Sequence, residues 1–158
     1  MSANGVNRIL LVEDDAKLAG ILRRGLELDG ISTDLAETAE QALAMAARAH
    51  YDAFVVDVML PGMDGLEVCR RLRRGGLRTP VVVISARDDL TDRDLRDAGA
   101  DQFMAKPFAI AALEARLRRA PTQTGWVAPP LPAEVAPVQV ARGTVTRRWW
   151  LRRPRCPR

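Results

Sequence analysis

The stretch Tyr51-Asp-Ala-Phe-Val-Val-Asp-Val-Met-Leu-Pro-Gly-Met-Asp-Gly-Leu-Glu-Val-Cys-Arg-Arg-Leu72 decides the fold. Its apolar run, Ala53 to Val56, is short and does not alternate with polar residues, so it reads as a strand buried on both faces. The run ends on a carboxylate, Asp57. Pro61-Gly-Met-Asp-Gly65 then supplies turn residues, and the pattern predicts a helix from about Leu66 to Arg74.

Working outward, the same strand-then-helix grammar repeats. Toward the amino end, Arg8-Ile-Leu-Leu-Val12 is a second buried strand, followed by Glu13-Asp14-Asp15 where strand gives way to loop. Ala16 to Leu28 carries Leu18, Ile21, Leu22 and Leu26 at helical spacing, and Asp29-Gly30 stops it. A strand over Ile31 to Ala36 comes next, then a helix through Ala49 that Thr38 caps, with Gln41 at the reciprocal capping-box position.

Toward the carboxyl end, Thr79-Pro80 leads into a strand, Val81 to Ile84, that ends on Ser85. A weaker amphipathic helix is predicted over Asp88 to Ala98, closed by Gly99; Gln102 to Ala105 is a fifth strand before Lys106-Pro107, and Ala109 to Arg119 a last helix. Parallel strands need crossovers, and the crossovers pack helices on both faces, so five such units predict a doubly wound α/β domain. Functional groups of such a fold lie at the carboxyl ends of the strands. That rule selects Glu13 and Asp14, Asp57, Ser85 and Lys106.

Three carboxylates brought together would repel one another unless a cation shared the site. Mg2+ suits them, because it takes oxygen ligands and accepts one or two direct carboxylates while keeping several waters. Asp14 and Asp57 are the direct ligands in this reading; Glu13 acts through water, and the Met59 carbonyl completes the protein side. Lys106 adds a positive charge and Ser85 a hydroxyl, groups that orient and neutralise a phosphoryl group. Asp57 is then the nucleophile and an acyl phosphate the product. Taken singly, a strand-end carboxylate is more often a helix cap or surface charge, and Lys-Pro more often a turn. Agreement across four strand ends is what favours the functional reading.

Two other chemistries fit less well. A phosphohydrolase of the haloacid-dehalogenase kind places a second carboxylate two residues after its nucleophile, and here that position is Met59. A dinucleotide site needs a glycine-rich first turn, whereas Glu13-Asp14-Asp15 would repel a pyrophosphate.

The 158 residues allow one domain with a full core, and an apolar fraction of 47% with 28% charged residues is that of a soluble globular protein. Aromatic residues at 4% argue against an aromatic-rich binding face. Cys69 and Cys156 have no metal or redox spacing, His50 reads as a solvated helix-end residue, and MSANGVNR lacks the apolar segment of an export signal. No apolar run reaches the roughly 18 residues of a membrane span. A cytoplasmic location without membrane contact is the expectation.

The residues also resemble a known family, the response-regulator receiver domains, and among them the OmpR/PhoB-like subfamily. The resemblance covers residues 7–119 and rests on Ile9-Leu-Leu-Val-Glu-Asp-Asp15, on the stretch from Tyr51 to Leu72, on Ser85-Ala-Arg-Asp-Asp89 and on Ala98-Gly-Ala-Asp-Gln-Phe-Met-Ala-Lys-Pro-Phe108. It implies a flavodoxin-like sheet with strand order 2-1-3-4-5. It also implies phosphorylation of Asp57 by a sensor histidine kinase, with Mg2+ held by Asp14, Asp57 and the Met59 carbonyl. Ser85 would move toward the phosphoryl group, Lys106 would pair with it, and Phe103, at the switch-aromatic position, would turn inward; ordinary core packing is the plainer reading of Phe103. The signal would leave through the face of the fourth helix, fifth strand and fifth helix, which also suits a homodimer. Such a domain is a phosphoacceptor switch rather than a turnover enzyme, limited to self-phosphorylation from small donors and self-dephosphorylation. The segment between Ser85 and Lys106 is one residue shorter than usual for the subfamily, which implies a shortened or rotated fourth helix.

Charge separates the remainder. Residues 1–120 hold 17 Lys and Arg against 19 Asp and Glu, whereas 121–158 hold 7 Arg against one Glu. Residues 120–158 form a Pro- and Arg-rich tail expected to be disordered or a truncated remnant. A winged-helix output domain needs roughly a hundred residues, so none is expected here and nucleic-acid binding is not expected of the receiver. Arg147-Arg-Trp-Trp-Leu-Arg-Arg-Pro-Arg155 has the charge and stacking groups that hold nucleic acid or an anionic membrane, the weaker reading of the tail. The competing reading of the whole chain is a truncated DNA-binding transcriptional regulator of the OmpR type.

Overall fold

A computed structural model of the chain describes residues 6–119, together with the backbone of 139–140 and 143–144. Five strands alternate with five helices: β1 (Arg8–Val12), α1 (Ala16–Leu28), β2 (Ser32–Ala36), α2 (Ala39–Arg48), β3 (Ala53–Asp57), α3 (Gly65–Arg74), β4 (Val81–Ser85), α4 (Asp92–Ala98), β5 (Gln102–Ala105) and α5 (Ile110–Arg118). The strands form one sheet in the order β2-β1-β3-β4-β5, and every pairing is parallel. This is the doubly wound sheet that the strand and helix pattern predicted, in the flavodoxin-like order that the family resemblance implied.

Every residue of β3 and β4 is buried, as their unbroken apolar runs require. Alternate side chains serve opposite faces. Leu10, Val12, Phe54, Val56, Val81 and Val83 pack with apolar residues of α2, α3 and α4. Ile9, Leu11, Val55, Val82 and Ile84 pack with α1 and α5. Helices thus cover both faces, and the loops carrying the predicted functional residues emerge together at the carboxyl edge.

The amino edge is closed by a repeated device. Asp52, just before β3, accepts the N–H groups of Asn7 and Arg8 at 2.9 Å each, at the start of β1. Asp101, just before β5, likewise accepts the N–H of Val81 at 2.8 Å, at the start of β4. Arg73 reinforces the second of these: its guanidinium bonds Asp101 Oδ2 (2.7 Å) and the carbonyls of Leu77 (2.9 Å), Thr79 (2.8 Å) and Gly99 (3.0 Å). At the start of β1, Arg8 pairs with Asp34 (2.6 Å), which also accepts the Tyr51 hydroxyl (2.8 Å).

Most predicted boundaries fall within one residue of those observed. The fourth helix does not: it begins at Asp92 rather than Asp88. Thr91 and Asp94 form a full capping box there, each side chain meeting the other's backbone N–H, and Arg87 grips Asp89 through both carboxylate oxygens, holding the preceding residues as a loop. Thr38 caps α2 as expected, accepting the Gln41 N–H at 3.1 Å. The return bond from Gln41 reaches the N–H of Glu37 (2.9 Å) instead of Thr38.

The tail reading lies outside the described residues, apart from an antiparallel pair of two-residue strands, β6 (Gln139–Val140) and β7 (Gly143–Thr144). Among the described residues, no helix is long and apolar enough to cross a membrane.

Candidate functional site

Strand ends place the site. Glu13 and Asp14 follow β1, Asp57 ends β3, Ser85 ends β4, and Lys106 follows β5. Glu13, Asp14 and Asp57 each offer a carboxylate oxygen, and these atoms all lie within 4.8 Å of one another. Glu13 and Asp57 are 1% and 3% exposed, while Asp14 is exposed. Two acids are therefore sequestered and the third faces solvent at the mouth.

Lys106 joins the buried pair. Its Nζ donates to Asp57 Oδ2 at 2.7 Å and to Glu13 Oε2 at 2.9 Å. Burial works against the ammonium, but the hydrogen bonds and charges of Asp57 and Glu13 outweigh it and hold the lysine above its ordinary range. The other Asp57 oxygen, Oδ1, accepts the Met59 N–H at 3.0 Å. The Met59 backbone is thereby fixed against the carboxylate, and the residue is 58% exposed. Glu13 Oε1 accepts the Asp15 N–H at 3.1 Å, and Asp15 in turn caps α1.

One ammonium cannot balance three carboxylates. Burial pushes Glu13 up to about 7, and the neighbouring Asp57 adds to the rise against the opposing pull of Lys106 and the Asp15 N–H. All donors are hard oxygens, and the cluster keeps a negative excess after Lys106 is counted, so the residues fit a small divalent cation such as Mg2+. Glu13, Asp14 and Asp57 are the carboxylates that could hold it.

A pH dependence follows for the metal-free chain. The folded protein binds the Glu13 proton more tightly than the unfolded chain, whose glutamate titrates near 4.5. Folding therefore gains from this group at low pH, and the gain is lost as pH rises from about 4.5 to about 7. Glu13→Gln is expected to raise the metal-free Tm more at pH 8 than at pH 5. Equal shifts at both pH values would show that Glu13 carries no such penalty.

Ser85 is fully buried, and its Oγ accepts the Arg87 N–H at 3.0 Å. Its strand is adjacent to Asp57 in register, with Asp57 opposite Ile84. Lys106 is tied to the same strand end by its own N–H, which donates to the Ser85 carbonyl at 2.9 Å. Phe103 is 7% exposed and packs in the core on the α2–α4 face. His50 lies outside the site, at the end of α2 and mostly exposed, 3.7 Å from Asp52. Cys69 is buried in the core, where burial pushes its thiol up to about 12.

Two contributors escaped the sequence reading. Gly65 begins α3 against Asp57: a Cβ built on it would overlap the Asp57 carbonyl oxygen, with the Asp57 carbonyl carbon at 2.8 Å and the Val58 Cα at 2.9 Å. The sequence showed it as a turn glycine, and only the approach of α3 to β3 reveals the steric reason. Arg87 is the other, described above at Ser85 and Asp89; it falls within the Ser85–Asp89 motif, which gave its side chain no role.

Known proteins share the family signature and the fold. The family model described as response regulator receiver domain matches residues 9–118. Response regulator MprA of Mycobacterium leprae (strain TN) is 49% identical over 112 residues, which are 70% of this chain and 49% of that protein. The chain spans about half the length of the curated relatives it matches. Among solved structures, the Francisella response regulator 1452 receiver domain superposes with a TM-score of 0.65 at 33% identity, covering 70% of this chain and 93% of that one. Response regulator protein TrrA from Thermotoga maritima, solved in complex with Mg(2+)-BeF, gives 0.62 at 30% identity, covering 70% and 95%.

Proposed function

Because the chain belongs to the response regulator receiver domain family, we propose that it accepts a phosphoryl group on Asp57 from a sensor histidine kinase, in a Mg2+-dependent reaction, and thereby switches a protein-interaction face. The observation that carries this reading is the bridge from Lys106 Nζ to both Asp57 and Glu13, with Asp14 alongside. A carboxylate, an ammonium and further carboxylate oxygens gathered at one point support the reading of Asp57 as nucleophile beside a metal ion.

In this mechanism one Asp57 carboxylate oxygen forms a bond to phosphorus as the bond from phosphorus to the donor's leaving atom breaks, and the leaving group departs with that electron pair. Met59 N–H and Lys106 fix the carboxylate from its two oxygens, so little reorientation precedes attack. Lys106 then faces an acyl phosphate in place of a carboxylate and stabilises the added negative charge. Glu13, Asp14, Asp57 and the Met59 carbonyl would hold Mg2+, which when bound supplies charge stabilisation at the phosphoryl oxygens. The Ser85 hydroxyl contacts the phosphoryl group, and Phe103 turns with it. The altered surface is α4-β5-α5, which would also carry a homodimer. The protein is a cytoplasmic switch with self-phosphorylation and self-dephosphorylation as its chemistry, and residues 7–119 are the phosphoacceptor domain.

Incubation with acetyl phosphate and Mg2+, followed by intact mass measurement, tests the assignment. A phosphoryl adduct is expected on the wild-type chain, absent from Asp57→Ala and absent in excess chelator. An adduct equal in both chains, or none in either, would sink it.

A second reading, a truncated DNA-binding regulator of the OmpR type, draws support from the half-length match to the relatives named response regulator MprA. Translation of the downstream DNA in all frames separates the two, since only the truncated regulator leaves winged-helix sequence there.

A further inference from the structure

Ser85 and Asp57 end neighbouring strands, and in the phosphoacceptor reading the Ser85 hydroxyl approaches a group on Asp57 as the loop after β4 moves relative to the start of α3. The structure shows what resists that movement. Arg87 donates its backbone N–H to Ser85 Oγ (3.0 Å), so the residue that would carry the displacement is tied directly to the hydroxyl. Its guanidinium grips Asp89 through both oxygens (2.8 and 2.7 Å) and reaches across to Asp64 Oδ2 at 3.5 Å.

Asp64 is not a free surface acid. Its Oδ1 caps α3 by accepting the Leu66 N–H at 2.7 Å, and the next residue, Gly65, packs on the Asp57 carbonyl and donates its N–H to the Val58 carbonyl at 2.9 Å. Asp64 therefore moves with Asp57, while Arg87 moves with Ser85. The ion pair between them spans the two frames.

Resting on the phosphoacceptor reading above, we infer that Arg87 is a positioning residue that ties the loop carrying Ser85 to the α3 cap beside Asp57, so that phosphoryl uptake proceeds against this tie. Arg87 and Asp64 side chains are 33% and 45% exposed, so the tie is a weak one. Its release is expected to change rates by about two- to fivefold.

The test is a double-variant cycle on the full chain. Arg87→Gln removes the cation, whereas Asp64→Asn removes the anion and keeps a side chain that caps a helix about as well. Each is expected to speed phosphoryl uptake from acetyl phosphate about two- to fivefold, and the double variant no further than either single one. In the donor-free chain, each should also speed amide exchange in the segment 85–90 by a similar factor. Slower uptake by Arg87→Gln with faster uptake by Asp64→Asn would mean that Arg87 attracts the anionic donor, and would overturn the inference. Additive effects, or unchanged exchange in both variants, would overturn it as well. If the wild-type chain takes up no phosphoryl group, the Asp57 assignment is what fails; the exchange rates need no donor and still decide whether the tie exists.

Discussion

Gly65→Ala is expected to lower Tm by about 10 °C and to slow phosphoryl uptake at Asp57 by about a hundredfold. Two effects compete at this position. Alanine favours a helix over glycine by about 1 kcal/mol in a helix interior, and by less at a first residue such as this one. Against it stands a Cβ that would sit inside contact distance of the Asp57 carbonyl and the Val58 Cα. These are backbone atoms of a fully buried strand end, with no flexible side chain to swing aside. Overpacking of this kind costs roughly 1–3 kcal/mol and occasionally more, and the depth of the overlap puts Gly65 at the upper end, so the steric term wins. Relief requires α3 and the end of β3 to separate, which displaces the carboxylate that Lys106 and Met59 hold. A misplacement of about 1 Å is enough for a hundredfold loss where catalysis is positioning. Thermal unfolding and the time course of intact mass measure the two parts. A Tm within about 2 °C of wild type would show that α3 yields at little cost.

Arg73→Ala should destabilise the fold by about 3 kcal/mol while leaving the geometry around Asp57 in place. The guanidinium serves Asp101, which is 7% exposed at its side chain, and three carbonyls, those of Leu77 and Thr79 in the loop after α3 and that of Gly99 at the cap of α4. Taking one partner from a buried pair costs about 3–5 kcal/mol; Arg73 itself is 23% exposed, so water can replace part of what is lost and the lower figure applies. Arg73→Lys should recover little, because one ammonium cannot match a planar fork directed at four acceptors. The expected readout is a lower urea midpoint with an unchanged slope, and a phosphoryl adduct still formed below the transition. A midpoint shift worth under about 1 kcal/mol would mean that the contacts are replaceable by solvent.

How much of this was legible beforehand depends on the range of the interaction concerned. β1, α1, β3 and β5 could be read to the residue because unbroken apolar runs and a 3.6-residue stripe are local signals. α4 was misread at its start because Asp88 and Asp89 look like first-turn acids. The Thr91 and Asp94 box that sets the boundary competes with them, and Arg87 decides the matter by engaging Asp89. In the site, Glu13, Asp14, Asp57 and Lys106 were predictable as neighbours because the fold rule brings strand ends together. The Lys106 bridge to Glu13 was not, since sequence order does not reveal which carboxylates a long side chain reaches. Arg73 was illegible for the same reason: its partner Asp101 lies 28 residues away.

The two ends of the sheet are fastened differently, and that gives the molecule a mechanical character. At the amino edge Asp52 and Asp101 stitch adjacent strands through short backbone bonds, with Arg73 riveting the second seam. At the carboxyl edge neighbouring strand ends are joined by backbone bonds, Val58 N–H to the Ile84 carbonyl (3.0 Å) and Lys106 N–H to the Ser85 carbonyl (2.9 Å), and charged side chains reach further, Lys106 to Asp57 and Glu13 and Arg87 to Asp64. The root is thus held by carboxylate staples that carry no part of the candidate site, whereas the tips carry the charges of the site itself. A change of charge at Asp57 would be met first by Lys106 and the β4 end bonded to it, while the Asp52 and Asp101 staples lie at the opposite end of the sheet, outside its reach.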